Sequence, residues 1–174
     1  MHYSANNLPS PHHDIADVIE TFDLDTSSKR EAQALEITRG LMYLGVGCLD
    51  QCHNIVTPLS YPSTTAFAGP PQKPEAEIIR QNACYAHAMT HIREGLVTGE
   101  YGTGYCNAKY WYDTTGSHPL WEVGFSPDAL VHEYEEAATS RNKELVEKMQ
   151  SRMLVDWEAL LMHCAADLAV LEKG

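Results

Sequence analysis

Positive charge is scarce in this chain: 12 Lys and Arg stand against 24 Asp and Glu, a formal charge of −12 over 174 residues. A protein of that sign repels phosphate backbones and anionic bilayers, and no Lys/Arg cluster offsets it, so nucleic acid is not an expected partner. No apolar run approaches the length of a membrane span, and a membrane is not expected either. The opening MHYSANNLPSPHHD lacks the basic start and apolar stretch of a signal peptide. No C-x-x-C pair occurs, and five cysteines in a chain this long make neither a disulfide framework nor a zinc ribbon. Cys48 and Cys52, four apart, and Cys164, in an apolar helical pattern, read as buried free thiols. A reducing, cytoplasmic location is the expectation. Strand-like alternation is absent, and so is the G-x-S-x-G turn that would make Ser117-His118-Pro119 part of a hydrolase.

What is present is helical periodicity. DTSS at 25–28 is a cap signal for a helix over 29–44, with Ala34, Leu35, Ile37, Leu41, Met42 and Leu44 recurring near the helical period. GVG at 45–47 breaks it, and a second, shorter helix holding Asp50 and His53 is expected to end before Pro58. Residues 58–74 contain five prolines and form a long connection, either a plain surface loop or a lid or binding segment. A helix follows over 75–94, then four glycines in GLVTGEYGTG as a flexible break. A short aromatic helix (YCNAKYWYDTT), one beginning at Ser-Pro-Asp (126–128), and a long helix over 141–172 complete the chain. In the last, Leu145, Met149, Met153, Trp157, Leu160, Cys164, Leu168 and Leu171 keep helical spacing.

The fold expected is therefore all-α: helical hairpins packed as an irregular bundle on the long C-terminal helix. Residues 1–28 are expected as a flexible N-terminal arm and 29–174 as a single helical domain. Within the arm, DIADVIETFD at 14–23 reads as a turn or two of amphipathic helix with Ile15, Val18, Ile19 and Phe22 on one side.

Chemistry concentrates in YAHAMTHIREG at 85–95. On a helix His87, His91 and Glu94, with Arg80, share a sector nearly opposite Ile78, Tyr85, Met89 and Ile92. That polar seam faces either water or another helix across a cavity, where bundles build metal sites. Histidines at i and i+4 reach one ion, and a glutamate a turn on completes the set or serves as a base. No glutamate follows the first histidine, so the H-E-x-x-H peptidase assignment fails. Nine histidines give roughly 0.4 such spaced pairs by chance, so a third ligand must come from elsewhere. His53 is the best candidate, with Asp50 one turn behind as its orienting partner or as a helix cap.

Tyr105, Tyr110, Trp111, Tyr112 and Trp121 form an aromatic cluster that is either a ligand-binding wall or core packing. His132 and Glu136 offer a competing pair on an acidic face, and His12-His13 an adventitious one.

Four stretches taken together, DQCH at 50–53, YAHAMTHIRE at 85–94, NAKYWYDTTGSHP at 107–119 and DWEALLMHC at 156–164, resemble a family of small helical bacterial and fungal proteins of uncharacterised activity. Its members carry D-x-x-H, H-x-x-x-H-R-x-E-like, N-A-K/R-Y-W-Y/F, G-x-H-P and E-W-x-L-L motifs in that order. The resemblance covers roughly residues 30–165 and implies tetratricopeptide-like packing of helical hairpins. It also implies His53, His87, His91, Glu94, Asn107, Tyr110, Trp111 and His118 as motif positions, and no particular reaction. The chain departs from the pattern in a glycine-rich insertion after Gly95 and in Asp113-Thr114, where a basic pair is expected.

The function expected is a metal-dependent enzyme, a hydrolase or lyase acting on a small molecule. One divalent ion, zinc or iron, would sit on His53, His87, His91 and Glu94. Glu94, His91 and Tyr110 carry the catalysis, and Asn107, Trp111, His118 and Asp50 surround the pocket. Iron in the same site would bring oxidation. No nucleotide cofactor is expected, and self-association is left open. The alternative is a tetratricopeptide-like interaction module without catalysis, its His/Glu seam a hydrogen-bonded network; no clean 34-residue repeat supports it.

Overall fold

The computed structural model describes residues 13–22, 24–61, 70–98, 103–140 and 142–171. They form seven α-helices and, among the described residues, no strand: α1 (His13–Thr21), α2 (Lys29–Gly45), α3 (Leu49–Ser60), α4 (Glu77–Thr98), α5 (Thr103–Thr115), α6 (Pro127–Thr139) and α7 (Lys143–Leu171). The fold is all-α. No described helix is long and apolar enough to cross a membrane. Residues 62–69 of the 58–74 connection, Gly99 and Gly102 of the glycine-rich segment, and His12 lie outside the described residues.

Local chemistry sets the helix starts. Ser28 caps α2 with a reciprocal pair: its hydroxyl accepts from the Glu31 amide at 3.2 Å, and the Glu31 carboxylate accepts from the Ser28 amide at 3.2 Å. Ser126 caps α6, with Pro127 in the first turn where its missing N–H costs nothing.

Helix α1 falls where helical turns are expected at 14–23, and two later boundaries differ from the expectation. Within the segment expected as an arm, α1 packs on α2 through Ala16 and Ile19, while Ile15 and Val18 face outward. Pro58 does not end α3, which runs on to Ser60. The carbonyl its ring leaves without a partner belongs to Asn54, an exposed residue, so the proline costs less there than in a covered turn. Gly95 does not end α4 either: the helix continues to Thr98.

The hub is α4, not the C-terminal helix. Every residue from Asn82 to Ile92 is buried, and α4 packs against α2, α3, α5, α6 and α7. Ala83, Ala86 and Ala88 keep this helix thin enough for neighbours on every side. By contrast α7 lies at the surface with Leu154, Val155 and Met162 outward, and docks through Trp157, whose indole N–H donates to the Leu41 carbonyl at 2.8 Å.

Gly95 and Gly104 serve contact between helices. A Cβ on Gly104 would stand 2.7 Å from the Gly95 nitrogen and 2.9 Å from the His91 carbonyl oxygen. A Cβ on Gly95 would stand 3.0 Å from the Tyr105 ring. Helices α4 and α5 thus touch backbone to backbone beside His91, the approach that carries Trp111 onto His87. Gly104→Ala should destabilise the fold by about 1–3 kcal/mol through this overpacking. Chemical denaturation measures it, and an unchanged midpoint would contradict the crossing described.

Candidate metal centre

Three imidazoles meet where α3 crosses α4. His53 comes from the second turn of α3, and His87 and His91 from successive turns of α4. Their rings lie 4.7 Å (His53–His87), 5.4 Å (His53–His91) and 4.9 Å (His87–His91) apart between centroids. One nitrogen from each falls within 4.8 Å of the others. A tetrahedral ion with Zn–N bonds of about 2.1 Å spaces its ligands about 3.4 Å apart, so modest side-chain rotation closes the set.

Each ring is held differently. His91 donates from Nδ1 to Oε2 of Glu94 at 2.6 Å, which leaves the Nε2 lone pair available. The Thr57 hydroxyl donates to the His53 carbonyl at 2.6 Å and lies 3.4 Å from His53 Nδ1, where it can accept that ring's N–H. His87 stacks on Trp111, with centroids 4.0 Å apart and planes 17° from parallel. Stacking occupies the ring's face and leaves its nitrogens free in the plane. Although His87 is only 2% exposed, neither nitrogen has a hydrogen-bond partner among the described residues. Burial, with His91 and His53 nearby, pushes its pKa down to about 2, so the ring is neutral at physiological pH, as a metal ligand must be. Burial likewise lowers the pKa of His53.

Other expected site residues are placed elsewhere. Glu94 is not among the three grouped ligands; its carboxylate lies on the far nitrogen of His91. Asp50, exposed on the first turn of α3, acts on His53 only through its charge, and the side chain beside the His53 ring nitrogen is Thr57. Asn107 is exposed on α5. Tyr110, 50% exposed, touches Trp111 edge-on at 5.0 Å instead of reaching the histidines. His132 and Glu136 both face outward on α6. Of the aromatic cluster, Tyr105, Trp111 and Tyr112 are core residues.

His118 belongs to a second cluster. Its Nε2–H donates to Asn82 Oδ1 at 2.9 Å, and its Nδ1 accepts from the Leu120 amide at 3.2 Å. Tyr85, Trp121 and His163 surround the ring. Both nitrogens are satisfied, so this histidine ties the 116–120 turn to α4 and offers no lone pair.

Four thiols, Cys48, Cys52, Cys84 and Cys164, are buried, and Cys106 is exposed. Burial pushes the pKa of Cys52 up to about 12 and that of Cys84 to about 11. Because Thr90 donates to the Ala86 carbonyl at 2.9 Å, the Cys52 S–H is the donor in its 3.2 Å contact with Thr90 Oγ1.

Sequence reasoning missed Thr57 and the glycine crossing. The i, i+4 spacing of His53 and Thr57 was a usable signal for the first. Comparison with family models, curated proteins and solved structures finds no match.

Burial, with His163 adjacent, lowers the His118 pKa to about 4, below the ordinary 6.5. The unfolded chain therefore takes up this proton first. His118's contribution is complete above pH 6.5 and is lost as pH falls towards 4. The fall in Tm between pH 7 and pH 4.5 should be smaller in His118→Gln than in the parent. An equal fall in both would contradict the assignment.

Proposed function

We propose that this protein is a small metal-dependent enzyme in which His53, His87 and His91 hold one divalent ion, zinc or iron. The observation that carries the reading is His87. A buried imidazole with two unpartnered nitrogens costs about 1–3 kcal/mol, and an ion shared with two neighbouring imidazoles removes that cost.

The donor set fits. Three neutral imidazoles suit zinc or iron, and three protein ligands leave a coordination position for water or substrate. A divalent ion there would supply Lewis acidity, polarising a carbonyl or making water acidic enough to attack near neutral pH, which favours hydrolysis, hydration or elimination; iron would add oxidative chemistry.

The chain's own residues prepare the site. Trp111 fixes the His87 plane, and burial keeps His87 deprotonated. Glu94 selects the tautomer of His91 and fixes its ring, which makes it a positioning residue in place of a fourth ligand. Thr57 orients His53 in the same way. Glu94 is about half exposed, so solvent approaches the centre from this side.

Elemental mass spectrometry on tag-free full-length protein should find about one equivalent of metal, falling several-fold in His87→Ala and in His91→Ala. Chelation should lower the Tm of the parent by about 5–10 °C if metal exceeds its dissociation constant about a hundredfold. The Tm of His87→Ala should not respond. Metal-free parent protein, with a Tm indifferent to chelator, would refute the proposal and favour a structural histidine network.

A further inference from the structure

A recess of about 550 Å³ opens between the end of α3, residues 71–74, the first turn of α4 and the last turns of α5. Its size falls within the range of small-molecule sites, about 300–1,000 Å³. Flat apolar groups line it: the rings of Tyr61 and Tyr110, with Pro71 and Pro74. Tyr61 and Tyr110 both pack edge-on against Trp111, at 5.1 and 5.0 Å. Those contacts fix the inner ends of the two aromatic side chains.

The charged lining is cationic, against the −12 of the chain. Lys73 has no ion pair among the described residues, and its own carbonyl is held by the Gln33 amide at 2.9 Å, which pins its backbone. Arg80 donates from Nε and one terminal nitrogen to Glu77, and from the other to the Thr114 carbonyl at 2.7 Å. A guanidinium carries five N–H groups, so these bonds leave donor capacity. With Glu77 already paired to Arg80, Lys73 leaves the recess with surplus positive charge. That surplus disfavours a cationic occupant. A phosphate would look to the α4 N-terminus, where Glu77 already stands.

We propose that the recess binds a small planar carboxylate, its ring against Tyr61 and Tyr110 and its carboxylate on Lys73 and Arg80. The surface is largely preformed for this: aromatic and proline walls meet a guanidinium held on the Thr114 carbonyl and a lysine whose backbone Gln33 pins while its ammonium stays free to turn. The site stands one aromatic residue, Trp111, away from His87, and its occupation does not require an ion at the three histidines.

Calorimetric titration of the full chain in EDTA buffer tests this, with 2-naphthoate as probe and 2-naphthalenemethanol as its neutral counterpart. The carboxylate should saturate at about one equivalent, and the alcohol should bind at least about tenfold more weakly. Lys73→Gln and Tyr110→Ala, both changes at exposed positions, should each weaken 2-naphthoate about tenfold while helicity and Tm are retained. Absence of saturation, equal affinity for the alcohol, or unchanged affinity in both variants would overturn the proposal. So would binding that appears only when zinc is added, because that would put the carboxylate on an ion. Retained binding in EDTA supports the recess whatever the metal content of the histidine site.

Discussion

A helix covered on every side cannot leave its polar groups to water, and α4 is such a helix. Each polar side chain along its buried stretch must find a partner on a neighbour or on its own backbone. Asn82 takes His118, Thr90 bonds the Ala86 carbonyl and receives the Cys52 thiol, and His91 takes Glu94. His87 lies in the middle of this series and breaks the pattern, its nitrogens unpartnered among the described residues and its ring 4.7 and 4.9 Å from two other imidazoles. The rest of the arrangement serves that exception. Gly95 and Gly104 let α5 approach, α5 brings Trp111, and Trp111 holds the His87 ring in place.

The few cations are placed with similar economy. No helix has a basic residue in its own last turn, yet three helix ends receive an arginine from elsewhere. Arg39 donates to the Phe22 carbonyl just past α1, Arg93 to Leu44 at the end of α2, and Arg80 to Thr114 at the end of α5. Each sets a positive charge against the dipole at a helix C-terminus, although the Leu44 carbonyl also accepts the Gly47 amide at 3.1 Å. Because donor and acceptor lie on different elements, each also fixes how two elements sit together. Arg93 follows the histidine pair by two residues, so the same turn of α4 carries site and brace.

Much of the fold was legible because it is written locally. The capping box at Ser28 and Glu31 and the Ser-Pro-Asp start of α6 are short-range chemistry, and the helices they begin lie where the sequence places them. What stayed hidden depends on tertiary contact. Pro58 reads as a stop, yet the turn it interrupts is on the exposed side of α3. The four-glycine segment reads as flexible, and two of its glycines are pressed against a neighbouring helix. The hub role of α4 is not visible in periodicity, since an all-round buried helix with a polar seam resembles an amphipathic one facing water. In the candidate site, the i, i+4 pair on α4 follows from spacing alone, while the approach of His53 depends on how α3 crosses α4. His118 shows the opposite case: its motif suggests chemistry, and its contacts with Asn82 and Leu120 are structural.

The central claim is that three imidazoles from two helices converge on one divalent ion. Cobalt(II) titration of the full-length protein, read by visible absorption, tests it most directly. The account predicts a single saturable species with the intense d–d bands of a four- or five-coordinate nitrogen-rich site, abolished by His53→Ala as completely as by His87→Ala. Weak octahedral bands that persist in both variants would place the ion elsewhere and contradict the claim.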